Sequence, residues 1–186
     1  MSKLRRSAPV LLVLVFCVLG AGQRHRRDPL TGLETEQLRE VSPEPEKKLK
    51  LYVTFAEARL VAVDTMLGDP KFSPDRGQRI HDLLEDFTNI VDEMDANISD
   101  YAAQKLDLRK ALKIVIEGDS NLQLKLRAVK ETAAADPKAA QEAKDYEFVL
   151  TDATEAVDGD LDNSREVLQK QLAAFEAAKE QAKKKK

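Results

Sequence analysis

Three carboxylates at alternate positions are the first residues in this chain whose spacing could do chemistry. Asp158-Gly159-Asp160-Leu161-Asp162-Asn163-Ser164 resembles the opening of a calcium loop. Hard oxygen ligands suit a hard cation, and an EF-hand also requires Gly at its sixth position and a bidentate Glu at its twelfth. Here those positions hold Asn163 and Gln169, and Arg165 stands where an apolar residue is expected. Asp158, Asp160 and Asp162 therefore read first as a solvated acidic helix face around a flexible glycine, with a weak cation cluster as the alternative.

Other chemistries have less to work with. A di-metal carboxylate bundle needs inward glutamates and two Glu-x-x-His motifs. Only His25 and His81 are present, and no Glu stands three residues before His81. His81 reads as a surface residue paired with Glu85 at i+4. The serines beyond residue 22 (Ser42, Ser73, Ser99, Ser120 and Ser164) fall mostly at helix caps or on polar faces. Gly-x-Ser-x-Gly, Walker and GxGxxG patterns are all missing. Asn97-Ile98-Ser99 matches a glycosylation sequon, yet Ile98 belongs to an apolar stripe, so the match reads as chance. The expectation is a non-enzymatic chain with no catalytic residue, no cofactor and no resident metal.

The elements that would position any site are helices. Glycine and proline are scarce, at seven each in 186 residues, and charged residues make up 34%. That composition belongs to long helices. Ser42-Pro43 predicts a helix start, followed by the stripe Leu49, Val53, Ala56, Leu60, Val63 and Leu67 at spacings of four and three. Gly68-Asp69-Pro70 ends it. Ser73-Pro74-Asp75 starts a second helix, with Ile80, Leu83, Phe87, Ile90, Met94, Ile98 and Tyr101, and the spacing continues through Leu108, Leu112 and Val115. No strong breaker interrupts it before Gly118, so the spacing allows one piece of about 45 residues, with a kink near Asn97 to Asp100 as the alternative. Gly118 reads as its C-terminal cap, with Asp119 or Ser120 capping a third helix that carries Leu122, Leu126, Val129 and Ala133. A fourth runs from Pro137 nearly to the end, through Ala139, Ala143, Tyr146, Leu150, Ala153, Val157, Leu161, Leu168, Leu172 and Phe175. Its stripe slips near Gly159, where a bend or fray is expected, and again near Arg165.

Each stripe covers one side of one helix and must be buried on another. The fold expected is all-α: an elongated antiparallel bundle of about four helices with coiled-coil-like heptad packing. Charge favours particular neighbours. Acids without a base run from Asp82 to Asp100 and again from Asp145 to Asp162. Bases gather in the first helix (Lys47, Lys48, Lys50, Arg59) and from Lys105 to Lys130. Folding back at Gly68–Pro70 and at Asp136-Pro137 lays each basic segment beside an acidic one, a bias of well under 1 kcal/mol per surface pair.

The ends set the domain plan. Lys3, Arg5 and Arg6 precede an apolar run from Ala8 to Leu19, and Gly20, Ala21 and Gly22 offer a cleavage point. That is the layout of a secretory signal peptide over 1–22, with an apolar run shorter than the roughly 20 residues a membrane span needs. The lone Cys17 would leave with it, and the mature chain would hold no thiol. A flexible linker over 23–45, with a basic cluster at 24–27 and room for a short helix from Thr35 to Val41, leads to a helical bundle domain over 46–182 and a basic tail over 183–186. The expected destination is periplasmic or extracellular.

Losing Lys3, Arg5 and Arg6 moves the formal charge from −3 to −6, which argues against nucleic acid as the partner. The partner expected is a protein. Lys183, Lys184, Lys185 and Lys186 allow a weak contact with anionic membrane, and long heptad stripes allow a homo-oligomer. The leading role is a scaffold, adaptor or chaperone-like module. The runner-up is a cation-binding or membrane-surface-associating protein that uses the acidic faces and the lysine tail.

Overall fold

The computed structural model describes residues 28–69, 75–135 and 137–184. Among these, every regular element is a helix: α1 (Gly32–Glu40), α2 (Pro45–Gly68), α3 (Arg76–Ala103), α4 (Arg109–Ala133), α5 (Pro137–Ala143) and α6 (Glu147–Lys184). The signal-peptide segment, the basic cluster at 24–27, the start signal Ser73-Pro74, and Lys185 and Lys186 lie outside the described residues.

The long helices bury the expected stripes on one another. α2 packs on α3 and α4, and α6 packs on the same two helices. One continuous core results, with Leu49, Tyr52, Leu60, Phe87, Leu112 and Val157 among its members. The pairings α2 with α3 and α4 with α6 that the charge segments imply are among those formed, but the like-charged pairs α3 with α6 and α2 with α4 pack as well, so charge alone does not choose the neighbours. On α3 the buried row passes through Leu84 and Val91 as well, while the expected Leu83 is only half-buried.

The expected single second helix is two. α3 ends at Ala103, and α4 begins at Arg109. Between them the Leu106 amide donates to the Tyr101 carbonyl (3.1 Å) and the Lys105 amide to that of Ala102 (2.9 Å). Lys105 sits at φ 60°, in the left-handed region. This is the paired 6→1 and 5→2 bonding that closes a helix when the residue after its cap turns left-handed. Glycine usually takes that position; lysine here gives no sequence cue.

Gly118 caps nothing. It lies inside α4, which continues to Ala133 and absorbs the expected third helix. A Cβ on Gly118 would stand 2.5 Å from Cγ1 of Val53, so its bare backbone is what lets α4 approach α2. Ser120 caps nothing either and donates to the Ile116 carbonyl one turn back (2.8 Å). α6 passes through Gly159 without a break; the interruption instead falls at Lys144–Tyr146, between α5 and α6.

The expected linker contains α1. Thr31 and Glu34 form a capping box: the Glu34 amide donates to Thr31 Oγ1 (3.3 Å), and the Thr31 amide to Glu34 Oε2 (2.7 Å). Leu38 is buried against the body. Arg59 of α2 clamps the Glu34 carboxylate through both guanidinium ends (2.7 and 2.6 Å) and also donates to the Pro29 carbonyl (2.7 Å). The docking therefore depends on a partner 25 residues downstream. The Arg59 guanidinium holds the Glu34 carboxyl below its ordinary range. Its contribution is thus present above the usual carboxylate pKa and is lost as the pH falls through the lowered one. Arg59→Ala is expected to release α1 at a cost of about 2 kcal/mol, the scale of hydrogen bonds to a charged group. Limited proteolysis should then cut at 41–44, and an uncut variant would show that Leu38 alone holds α1.

Candidate functional site

A helix turns about 100° per residue, so alternate residues point to nearly opposite sides. The structure accordingly splits the expected acidic cluster. Asp158 and Asp162 face outward: Asp158 accepts from Gln123 (2.6 Å), and Asp162 stands 3.9 Å from Arg165. Asp160 faces inward and is 2% exposed. No calcium loop forms, because the segment is helix interior. No group of three or more His, Cys, Asp or Glu among the described residues could hold a metal ion. His81 lies 3.5 Å from Asp82, its neighbour, in place of the expected Glu85 partner.

What Asp160 meets was missed in the sequence. Asp119 of α4 is 0% exposed and neighbours it across the helix interface. Neither carboxylate receives a hydrogen bond from a protein donor. The hydroxyl of Ser164, one turn after Asp160, is also fully buried and unpartnered. Asp95 of α3 approaches Asp160 from a third helix, and its own Oδ1 accepts from Asn163 (2.6 Å). Burial pushes both inner carboxyls well above the ordinary carboxylate range, and the neighbouring acids push Asp160 further. With no donor nearby, two adjacent buried carboxyls resist ionising together. A signal did exist. Asp119 continues the spacing Leu112, Val115, Leu122, Leu126, and the slip in the last stripe falls where Asp160 and Ser164 enter the core.

The surface offers a different kind of site. A groove of about 530 Å³ lies between the α3–α4 turn and the stretch of α6 from Val167 to Phe175, lined by Leu106, Arg109, Val167, Gln171, Ala174 and Phe175. Gln171 fixes the turn from α6: its Oε1 accepts from the Leu108 amide (2.9 Å), and its Nε2 donates to the Leu106 carbonyl (2.8 Å). Asp107 holds the Arg109 guanidinium (2.9 and 2.7 Å). That guanidinium lies 4.0 Å over the Phe175 ring, a cation–π contact. Phe175 is nevertheless 47% exposed, and Leu106 and Leu172 are also exposed. The expected stripe thus outruns the body: from Leu172 to Lys184 every residue of α6 is exposed.

A second groove, of about 450 Å³, lies between the end of α4, α5 and the start of α6, with Ala133, Ala143 and Leu150 in its wall. Asp119 and Asp160 line neither groove. No helix among the described residues is long and apolar enough to cross a membrane. No protein-family model, no curated protein and no solved structure matches the chain.

Proposed function

We propose that this chain is an exported, non-enzymatic interaction protein that seats an acidic, apolar-faced helix of a partner protein in the groove beside Phe175. The observation that carries this reading is that Leu106 and Phe175 are left uncovered in the groove, with the exposed Leu172 about one turn before Phe175, beside a cation-rich helix end. An exposed apolar patch rimmed by charge marks an interaction surface. Charge chooses the partner's sign. From Lys170 to Lys186 there are six lysines against two glutamates, in a chain whose overall charge is −3.

The scaffold presenting this groove reads as a four-helix bundle of α2, α3, α4 and α6 with heptad packing. Lys48 reaches Asn97 while Tyr52 reaches Glu93, and Leu108 reaches Gln171 while Gln123 reaches Asp158. Opposed numbering of this kind supports antiparallel α2–α3 and α4–α6 pairs. The signal-peptide layout over 1–22 supports export.

The test is a crosslinking pull-down of tagged full-length protein in its native host, with Phe175→Ser beside the wild type. A truncated central anchor commonly costs 2 kcal/mol or more of binding, which is about 30-fold. One reproducible partner lost in Phe175→Ser, with an unchanged melting temperature, is the expected result. Retention of that partner by the variant would remove the groove from the reading. Binding to anionic vesicles at similar strength, lost when 183–186 are deleted, would favour a membrane-surface role. Concentration-dependent dimerisation lost in Phe175→Ser would make a second copy the occupant.

A further inference from the structure

We propose that Asp119 and Asp160 form a proton-dependent lock between α4 and α6, closed while the pair shares a proton and loosened when both carboxyls are ionised. This inference does not rest on the groove.

The geometry is that of two acids on packed helices, both sealed from solvent, with all four oxygens lacking a donor. Two buried negative charges without donors cannot coexist cheaply, whereas one proton between them makes a short charge-assisted hydrogen bond. The Ser164 hydroxyl is a further buried polar group beside the pair, and it donates to neither acid. It is fully buried, sits on the same face of α6, and has no partner of its own. The surroundings supply little compensation. α3 contributes Asp95, a third acid, whose charge Asn163 partly engages. α6 contributes Arg165, exposed, whose charge reaches Asp119. α2 presents Val53 against the adjacent Gly118, and its Tyr52 and Lys48 are spent on Glu93 and Asn97 of α3.

The sign follows from linkage. Both carboxyls hold protons more tightly folded than unfolded. The stabilisation is complete below the ordinary carboxylate pKa and is lost as pH rises through the elevated folded values. This is opposite to the trend for Glu34, whose contribution is lost on acidification.

The experiment is thermal unfolding of the full chain from pH 5 to pH 9, for the wild type and for Asp160→Asn. An amide at 160 donates to Asp119 at every pH and cannot ionise. The wild type is expected to melt about 5 °C lower at pH 9 than at pH 5 relative to the variant, a sizeable shift for a chain of this length. The variant should be the more stable of the two at pH 9. Infrared spectroscopy of the wild type should show a protonated carboxyl at pH 7 that shifts in Asp160→Asn. Should that variant fail to fold, Asp119→Asn gives the same comparison, and the wild-type spectrum requires no variant. Parallel pH profiles for wild type and variant, or no protonated carboxyl at pH 7, would overturn the lock. So would a wild-type melting temperature at pH 8 that rises with calcium, magnesium or sodium and no longer does so in Asp160→Asn. A cation, not a proton, would then fill the site.

Discussion

Arg76→Ala should lower the unfolding free energy by about 3 kcal/mol, read as a fall in the urea midpoint with unchanged slope. Arg76 opens α3 and holds three parts of the chain together. Its Nε and Nη2 meet the two carboxylate oxygens of Glu142 in α5 (2.6 and 2.5 Å), and Nη1 donates to the Asp69 carbonyl after α2 (3.0 Å). The Glu142 side chain is only 6% exposed. Removing the guanidinium therefore strands a buried carboxylate, and that uncompensated charge supplies most of the cost. Arg76→Lys should recover little, because an ammonium cannot reproduce the two parallel bonds of the guanidinium fork. A loss below about 1 kcal/mol would place the pair in the class of exposed ion pairs and contradict its burial.

Gly118→Leu should cost a similar amount, about 3 kcal/mol, and Gly118→Ala about 1 kcal/mol. In an ordinary helix interior, Gly→Ala gains roughly 1 kcal/mol. Here the sign reverses, because the new Cβ would lie 2.5 and 3.1 Å from the two γ-methyls of Val53. Valine is branched at Cβ and cannot swing aside without leaving its rotamer. The decisive measurement is a double-mutant cycle with Val53→Ala, which opens the space the new side chain requires. Recovery of at least half the loss identifies the α2–α4 contact as the cause. Additive losses would mean that the strain falls elsewhere.

The helices and their buried faces were legible because the apolar spacing of threes and fours carries through nearly every stripe. Leu49, Leu60, Phe87, Leu112 and Val157 were all identifiable as core from that spacing, and all are buried. The punctuation was less legible, for reasons that differ by residue. Gly118 offers the same missing side chain to a helix end and to a close helix crossing, and only a three-dimensional neighbour distinguishes them. The α3–α4 turn is built with Lys105 in the position that glycine usually marks, so no local signal exposes it. α1 carries a readable capping box, but its anchor, Arg59, is far along the chain. The acid pair was hidden by an expectation about residue type. Asp119 and Asp160 occupy apolar slots in otherwise regular stripes, where a carboxylate reads from sequence as a cap or a solvated face.

The exposed end of α6 divides the molecule into two kinds of helix. Up to Gln171 the helix lies against α3 and α4 and shares their core. Beyond it, over the roughly 20 Å from Leu172 to Lys184, the helix is tied to the body by Phe175 under the Arg109 guanidinium and otherwise stands on intrinsic preference. Five alanines, the Glu176–Lys179 pair (3.9 Å) and the terminal lysines favour it, each by tenths of a kilocalorie. Such a segment melts gradually from its tip, ahead of any cooperative transition. Ellipticity lost on gentle warming therefore belongs to this end, and the unfolding enthalpy belongs to a smaller body than the total helix content implies.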